Sequence, residues 1–101
     1  MSDYLEHVGR HRRLAILRFL EQSAGYTSNV SIVTDVLNSN KIGLTTSRDQ
    51  TTTELSWLAE NGFVTLGGDA AFRVATATAR GIDIALGRAV HPDIQRPSPR
   101  G

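Results

Sequence analysis

Cysteine is absent from this 101-residue sequence, which rules out a disulfide framework and a thiolate zinc site. Long apolar runs are missing too. No stretch approaches the roughly 18 consecutive apolar residues of a membrane span, and the opening M-S-D-Y-L-E-H has no signal-peptide pattern. A cytoplasmic location is therefore the default expectation. Nor is there an excess of one charge: Lys and Arg total 11 against 10 Asp and Glu, a net of +1. That balance neither supports nor excludes a nucleic-acid partner, which a strongly basic chain would announce. Residues 23–62 are the most acidic part, with Asp35, Asp49, Glu54 and Glu60 against Lys41 and Arg48. No phosphate-binding glycine loop, nucleophile motif or carboxylate pair stands out, so neither an enzyme nor a cofactor is expected. Internal repeats are absent.

Aliphatic and aromatic residues make up 40% of the chain, enough for a core within one domain. Residues 3–24 have helical spacing, with Asp3 as N-cap and Gly25 as stop. Leu14, Leu17 and Leu20, with Ile16 beside them, form one apolar stripe. Tyr4, Val8, Ala15 and Phe19 form a second on nearly the opposite side, so something must cover this helix on two sides. Tyr26 and Thr27 fit one short edge strand. Ser28 or Asn29 caps a second helix that turns Val30, Val33, Val36 and Leu37 inward. The following turn sends Ile42 and Leu44 toward the core.

Ser47 and Gln50 have the spacing of a capping box at the start of a third helix. Thr51, Leu55, Leu58 and Ala59 face inward there, and Gly62 stops it. Winding at about 100° per residue places Thr46, Asp49, Gln50, Thr53, Trp57 and Glu60 outward. A strand over 63–66, a type I′ turn at Gly67-Gly68 and a return over 71–75 follow, with Val64, Leu66, Phe72 and Val74 as the apolar positions and Arg73 on the other face. Thr76 or Thr78 caps a last helix whose stripe, Ile82, Ala85, Leu86 and Ala89, suits the uncovered side of the first.

The predicted architecture is α+β, mostly α: a three-helix core, a β-hairpin wing and a C-terminal helix over residues 1–90. Residues 91–101 are predicted to form a flexible Pro/Arg tail.

Residues 13–81 resemble winged helix-turn-helix regulators of the MarR- and ArsR-like type. The resemblance lies in R-L-A-I-L-R-F-L (13–20), T-E-L-S-W-L-A-E-N-G-F-V (53–64) and V-A-T-A-T-A-R-G (74–81). The spacing L-x-x-L-x-x-x-G-F-V locks the third helix and lets the chain turn into the wing. The ending T-A-R-G-I-D-I-A-L-G-R-A-V-H-P-D-I-Q-R-P-S-P (78–99) is similar to small proteins of Mu-like prophages. What the first resemblance implies is a sequence-specific regulator of transcription on double-stranded DNA, and what the second implies is a phage origin. One departure is plain: residues 38–46 exceed the usual three-to-four-residue turn between such helices.

A DNA reading puts the third helix in the major groove. Ser47 and the first-turn amides would meet phosphate. Gln50 would pair with adenine, and Thr46, Thr52 and Thr53 would touch thymine methyls or phosphates. Arg48, Arg73 on the wing, and Arg10, Arg12 and Arg13 would hold the backbone. Against it stand Asp49, Glu54 and Glu60, and a threonine-rich face is also an ordinary solvated one. Trp57 either packs under the wing or anchors a protein partner, which would make the chain a winged-helix adaptor instead. The second stripe of the first helix points to a homodimer through Tyr4, Val8, Phe19, Ile82 and Leu86. His7 and His11, four apart with Asp3 four before, share a helical side, but a solvated face is the reading adopted and no metal site is assigned.

Overall fold

The computed structural model describes residues 2–97. It is an α+β fold whose elements run α1 (Ser2–Glu21), a 3-10 turn (Ala24–Tyr26), β1 (Thr27–Asn29), α2 (Val30–Leu37), α3 (Arg48–Glu60), β2 (Val64–Asp69), β3 (Phe72–Ala77) and α4 (Ala79–Ala85). The strands form one antiparallel sheet in the order β1-β3-β2. No helix among the described residues is long and apolar enough to cross a membrane.

The expected first stripe of α1 is the centre of the core, for Ile16, Leu17 and Leu20 are fully buried and Leu14 nearly so. Asp3 lies within the helix rather than capping it, and the helix ends at Glu21. Asn29 caps α2, its Oδ1 accepting from the Ile32 N–H at 2.9 Å. Val30, Val33 and Leu37 point inward, whereas Val36 stays half-buried and Ile32 exposed.

In the long connection from α2 to α3, Asn38 ties the two ends together. Asn38 donates from Nδ2 to the Thr46 carbonyl and accepts the Thr46 N–H on Oδ1, both at 2.8 Å. Leu44 N–H bonds the Leu37 carbonyl at 2.8 Å. Leu44 packs on the core as expected, but Ile42 faces solvent. Helix α3 begins with the predicted capping box: the Gln50 N–H donates to Ser47 Oγ, and the Ser47 N–H to Gln50 Oε1. Its inner face is Thr51, Leu55 and Leu58, joined by Glu54, and Thr34 Oγ1 reaches Thr51 Oγ1 at 2.7 Å to tie α2 to α3. Gly62, at φ 80°, ends it in the left-handed conformation expected of a stop.

The hairpin turns three residues later than the glycine pair indicates. Gly67 and Gly68 lie inside β2, where Gly68 pairs with Arg73 and Asp69 with Phe72. Ala70 and Ala71 make the turn, because Asp69 Oδ1 accepts from both the Ala71 and Phe72 N–H groups. This register sets the faces. Val64 pairs with Ala77 and Leu66 with Ala75, and these four form the inner side. By the alternation of a strand, Arg73 shares that side, while Phe72 and Val74 are on the outer one, with Phe72 exposed. The expected face assignment of the return strand is thus reversed.

Thr78 caps α4, its Oγ1 accepting from the Gly81 N–H. The helix packs against Phe63, at the entry to β2, and against α1 so closely that a Cβ at Gly81 would collide with the Phe63 carbonyl oxygen and press on Leu17. Ile84 and Ala85 are its buried residues; Leu86 is the C-cap and Ala89 lies beyond, both exposed. The expected loose tail folds back as far as it is described. Ile94 is 3% exposed, Gln95 N–H bonds the Arg10 carbonyl at 3.2 Å, and Arg13 Nη1 donates to the Asp93 carbonyl at 2.8 Å. Residues 98–101 lie outside the described part.

Candidate nucleic-acid interface

The outward side of α3 starts at the capped turn of Ser47. Asp49, Gln50, Thr52, Thr53 and Ser56 are exposed along it. Gln50 spends its Oε1 on the capping box, which leaves its amide NH2 as the group available to a base edge. Thr52 and Thr53 donate their hydroxyl protons back to the carbonyls of Arg48 and Asp49, at 3.1 and 3.0 Å. In this state they offer methyl groups and acceptor oxygens rather than donors, which favours contact with a thymine methyl over a phosphate.

Arg48 is exposed at the first residue of α3. Its guanidinium crosses from the start of α3 to Ser31 Oγ at the start of α2, and to the Ala71 carbonyl in the hairpin turn at 3.3 Å. One cation therefore joins three parts of the chain along a single edge. Arg73 stays on the hairpin and donates to the Gly68 carbonyl at 3.3 Å.

Other expected contacts are used internally. Thr46 is buried, 5% exposed, and its Oγ1 donates to the Leu44 carbonyl and accepts from Arg12 Nε. Arg12 also bonds the Thr45 carbonyl at 3.2 Å and stands 3.9 Å from Glu54. Arg13 meets Glu54 at 2.8 Å. Both guanidiniums are turned to the protein interior by a carboxylate that burial would otherwise penalise, so neither reaches a ligand surface. Arg10 is half-buried on α1. Glu54, 6% exposed and compensated, does not oppose a bound phosphate; Asp49 and Glu60 remain on the surface.

Trp57 belongs to an internal cluster. The Arg13 guanidinium lies 4.3 Å from its ring centroid, His91 meets it edge-on at 5.3 Å, and Phe63 stacks at 6.4 Å. That packing covers part of the indole on which the adaptor reading depends, and leaves Trp57 half-buried. The sequence hides this cluster because His91 falls in the proline- and arginine-rich segment that reads as a loose tail; the aromatic pair Trp57 and Phe63 flanking the helix stop is its one visible sign.

The five expected dimer residues do not form one surface. Tyr4, Val8 and Phe19 line depressions on the α2 side of α1, to which α4 contributes no residue, while Ile82 packs on the core. His7 and His11 bring their Nε2 atoms to 3.1 Å. Burial, then the charges of His7 and Arg10, holds the His11 imidazole below its usual pKa, favouring the neutral ring. No cluster of three or more His, Cys, Asp or Glu suited to a metal occurs among the described residues.

No protein-family model matches the chain, and no solved structure matches it. It is similar to an uncharacterized protein, gp26, of Escherichia phage Mu, with 42% identity over 89 residues covering 88% of this chain and 90% of that protein. An uncharacterized protein of Haemophilus influenzae shares 41% identity over 64 residues, 63% of this chain and 60% of that protein. The span and identity shared with the phage protein place the chain in its family. The chain belongs to the family of phage Mu gp26, in accord with the prophage resemblance of residues 78–99.

Proposed function

We propose that the chain is a winged helix-turn-helix protein that binds duplex DNA as a sequence-specific transcriptional regulator. The element order, three helices followed by a hairpin whose second strand pairs with β1, supports that architecture. The observation that carries the reading is the Arg48 bridge. It fixes the start of α3 and the hairpin turn on one edge, so that a helix lodged in the major groove brings the wing against the adjacent backbone.

In this reading the amide of Gln50 and the methyls of Thr52 and Thr53 read base edges. Arg48 and Arg73 serve the phosphates. Because Arg12 and Arg13 are committed to Glu54, phosphate contacts are few, and the salt dependence is shallow, with a log–log slope of about −0.9 per phosphate neutralised.

The test selects duplexes from a random pool and titrates the best of them with the chain at low salt. Replacing Arg48 and Arg73 together by Ala should abolish retention while the far-ultraviolet circular dichroism stays unchanged. Undiminished retention by that folded variant overturns the assignment, as does a pool that yields no enriched sequence.

A further inference from the structure

We infer that the groove between α1 and α2 is a self-association face, filled in solution by the N-terminal half of α1 from a second copy lying antiparallel. The inference stands whether or not the chain binds DNA.

The second apolar stripe of α1 is only partly covered: Ala15 and Phe19 are half-buried beside α2, and the start of the helix projects beyond the core. The Leu17 and Leu20 side of the helix is in the core, while Tyr4 and Leu5 are 70% and 67% exposed near its start. Along the open side runs a groove of about 810 Å³, walled by Ala15 and Phe19 of α1, Ile32 and Val36 of α2, and Ile42 of the connection. A smaller depression of about 310 Å³ beside Tyr4, Leu5 and Val8 continues it, and Leu44 lines both. The molecule thus carries an apolar knob at one end of a helix and an apolar slot at the other end of the same helix side.

A two-fold dimer needs a self-complementary patch, in which each residue meets a partner that meets it in return. The open stripe of α1 has that property. Tyr4 and Phe19 are equidistant from a midpoint between His11 and Arg12, and so are Val8 and Ala15. An antiparallel pairing about that midpoint sets Tyr4 against the partner's Phe19 and Val8 against the partner's Ala15, twice over.

Charge selects the same direction. Asp3 stands at the start of α1, and Arg18 and Lys41 at the far end of the groove. An antiparallel partner brings acids to bases at both ends and opposes the two helix dipoles, whereas a parallel one stacks like on like. Asp35 is the one carboxylate in the groove lining.

Sedimentation equilibrium of the full chain should give twice the 11.0 kDa chain mass. Tyr4→Glu with Leu5→Glu, at exposed positions, should keep the helical spectrum and weaken association on the order of 1,000-fold, about 30-fold for the buried anchor lost from each copy. Lys41→Glu should weaken it, and Asp3→Lys added to Lys41→Glu should restore it. Register is read by cross-linking, since the chain has no cysteine of its own. Val8→Cys chains mixed with Ala15→Cys chains should form an oxidised heterodimer, and Val8→Cys alone should not. A single-chain mass up to millimolar concentration, a dimer indifferent to Tyr4→Glu with Leu5→Glu, or cross-linking of Val8→Cys to itself each overturns the proposal.

Discussion

Glu54 shows how one side chain redirects several others. A carboxylate held inside the protein must keep cations near it, and Arg12 and Arg13 answer from α1, at 3.9 and 2.8 Å. Arg13 then serves three ends at once, for it also lies over Trp57 and bonds the Asp93 carbonyl. Glu54→Ala leaves two guanidiniums without their counter-charge, so unfolding in urea should show a loss of about 3 kcal/mol with an unchanged slope. A loss below about 1 kcal/mol would mean that the pair behaves as a solvated surface pair, and that the carboxylate does not organise this junction. Nothing in the sequence reveals the pairing. Its partners lie 41 residues apart, and helical periodicity gives a charged residue no reason to face inward.

Among the elements, legibility follows the range of the interaction that sets each one. The inner stripe of α1, the capping box of α3 and the glycine stop at Gly62 rest on neighbours within one or two helical turns, and each is where the residues place it. The hairpin turn depends on a side chain instead. Asp69 lets two alanines reverse the chain, so the glycine pair stays in the strand, and the shift changes which side Phe72, Arg73 and Val74 occupy. The connection between α2 and α3 is similar, being fixed by the amide of Asn38 across eight residues. Asn38→Ala removes both bonds to Thr46 and should cost about 2 kcal/mol. Amide exchange should speed up at Thr46 and Leu44 while the centre of α1 keeps its protection. Unaltered exchange at Thr46 would show that the Asn38 amide does not hold the connection, leaving that role to Arg12 and the Leu44 backbone bond.

At the scale of the whole molecule, the chain returns to its first helix. Composition marked residues 91–101 as loose because proline and arginine prevail there, but a single isoleucine is enough to anchor a short segment. Ile94 is buried, and the Gln95 and Asp93 backbones bond α1. A chain ending at Val90 forfeits that side chain, worth about 1.5–3 kcal/mol in burial, and exposes Trp57 and Phe63 where His91 covered them. Its melting temperature should fall by about 10 °C or more; an unchanged melting temperature would return the segment to the status of an appendage. The same junction has an optical consequence. The chain has one tryptophan, and it stands where α1, α3 and the returning segment meet. Its emission is a native gauge of that meeting point: undocking of residues 91–97 lets water reach the indole and moves the emission to the red, with no dye attached and no second tryptophan to blur the signal.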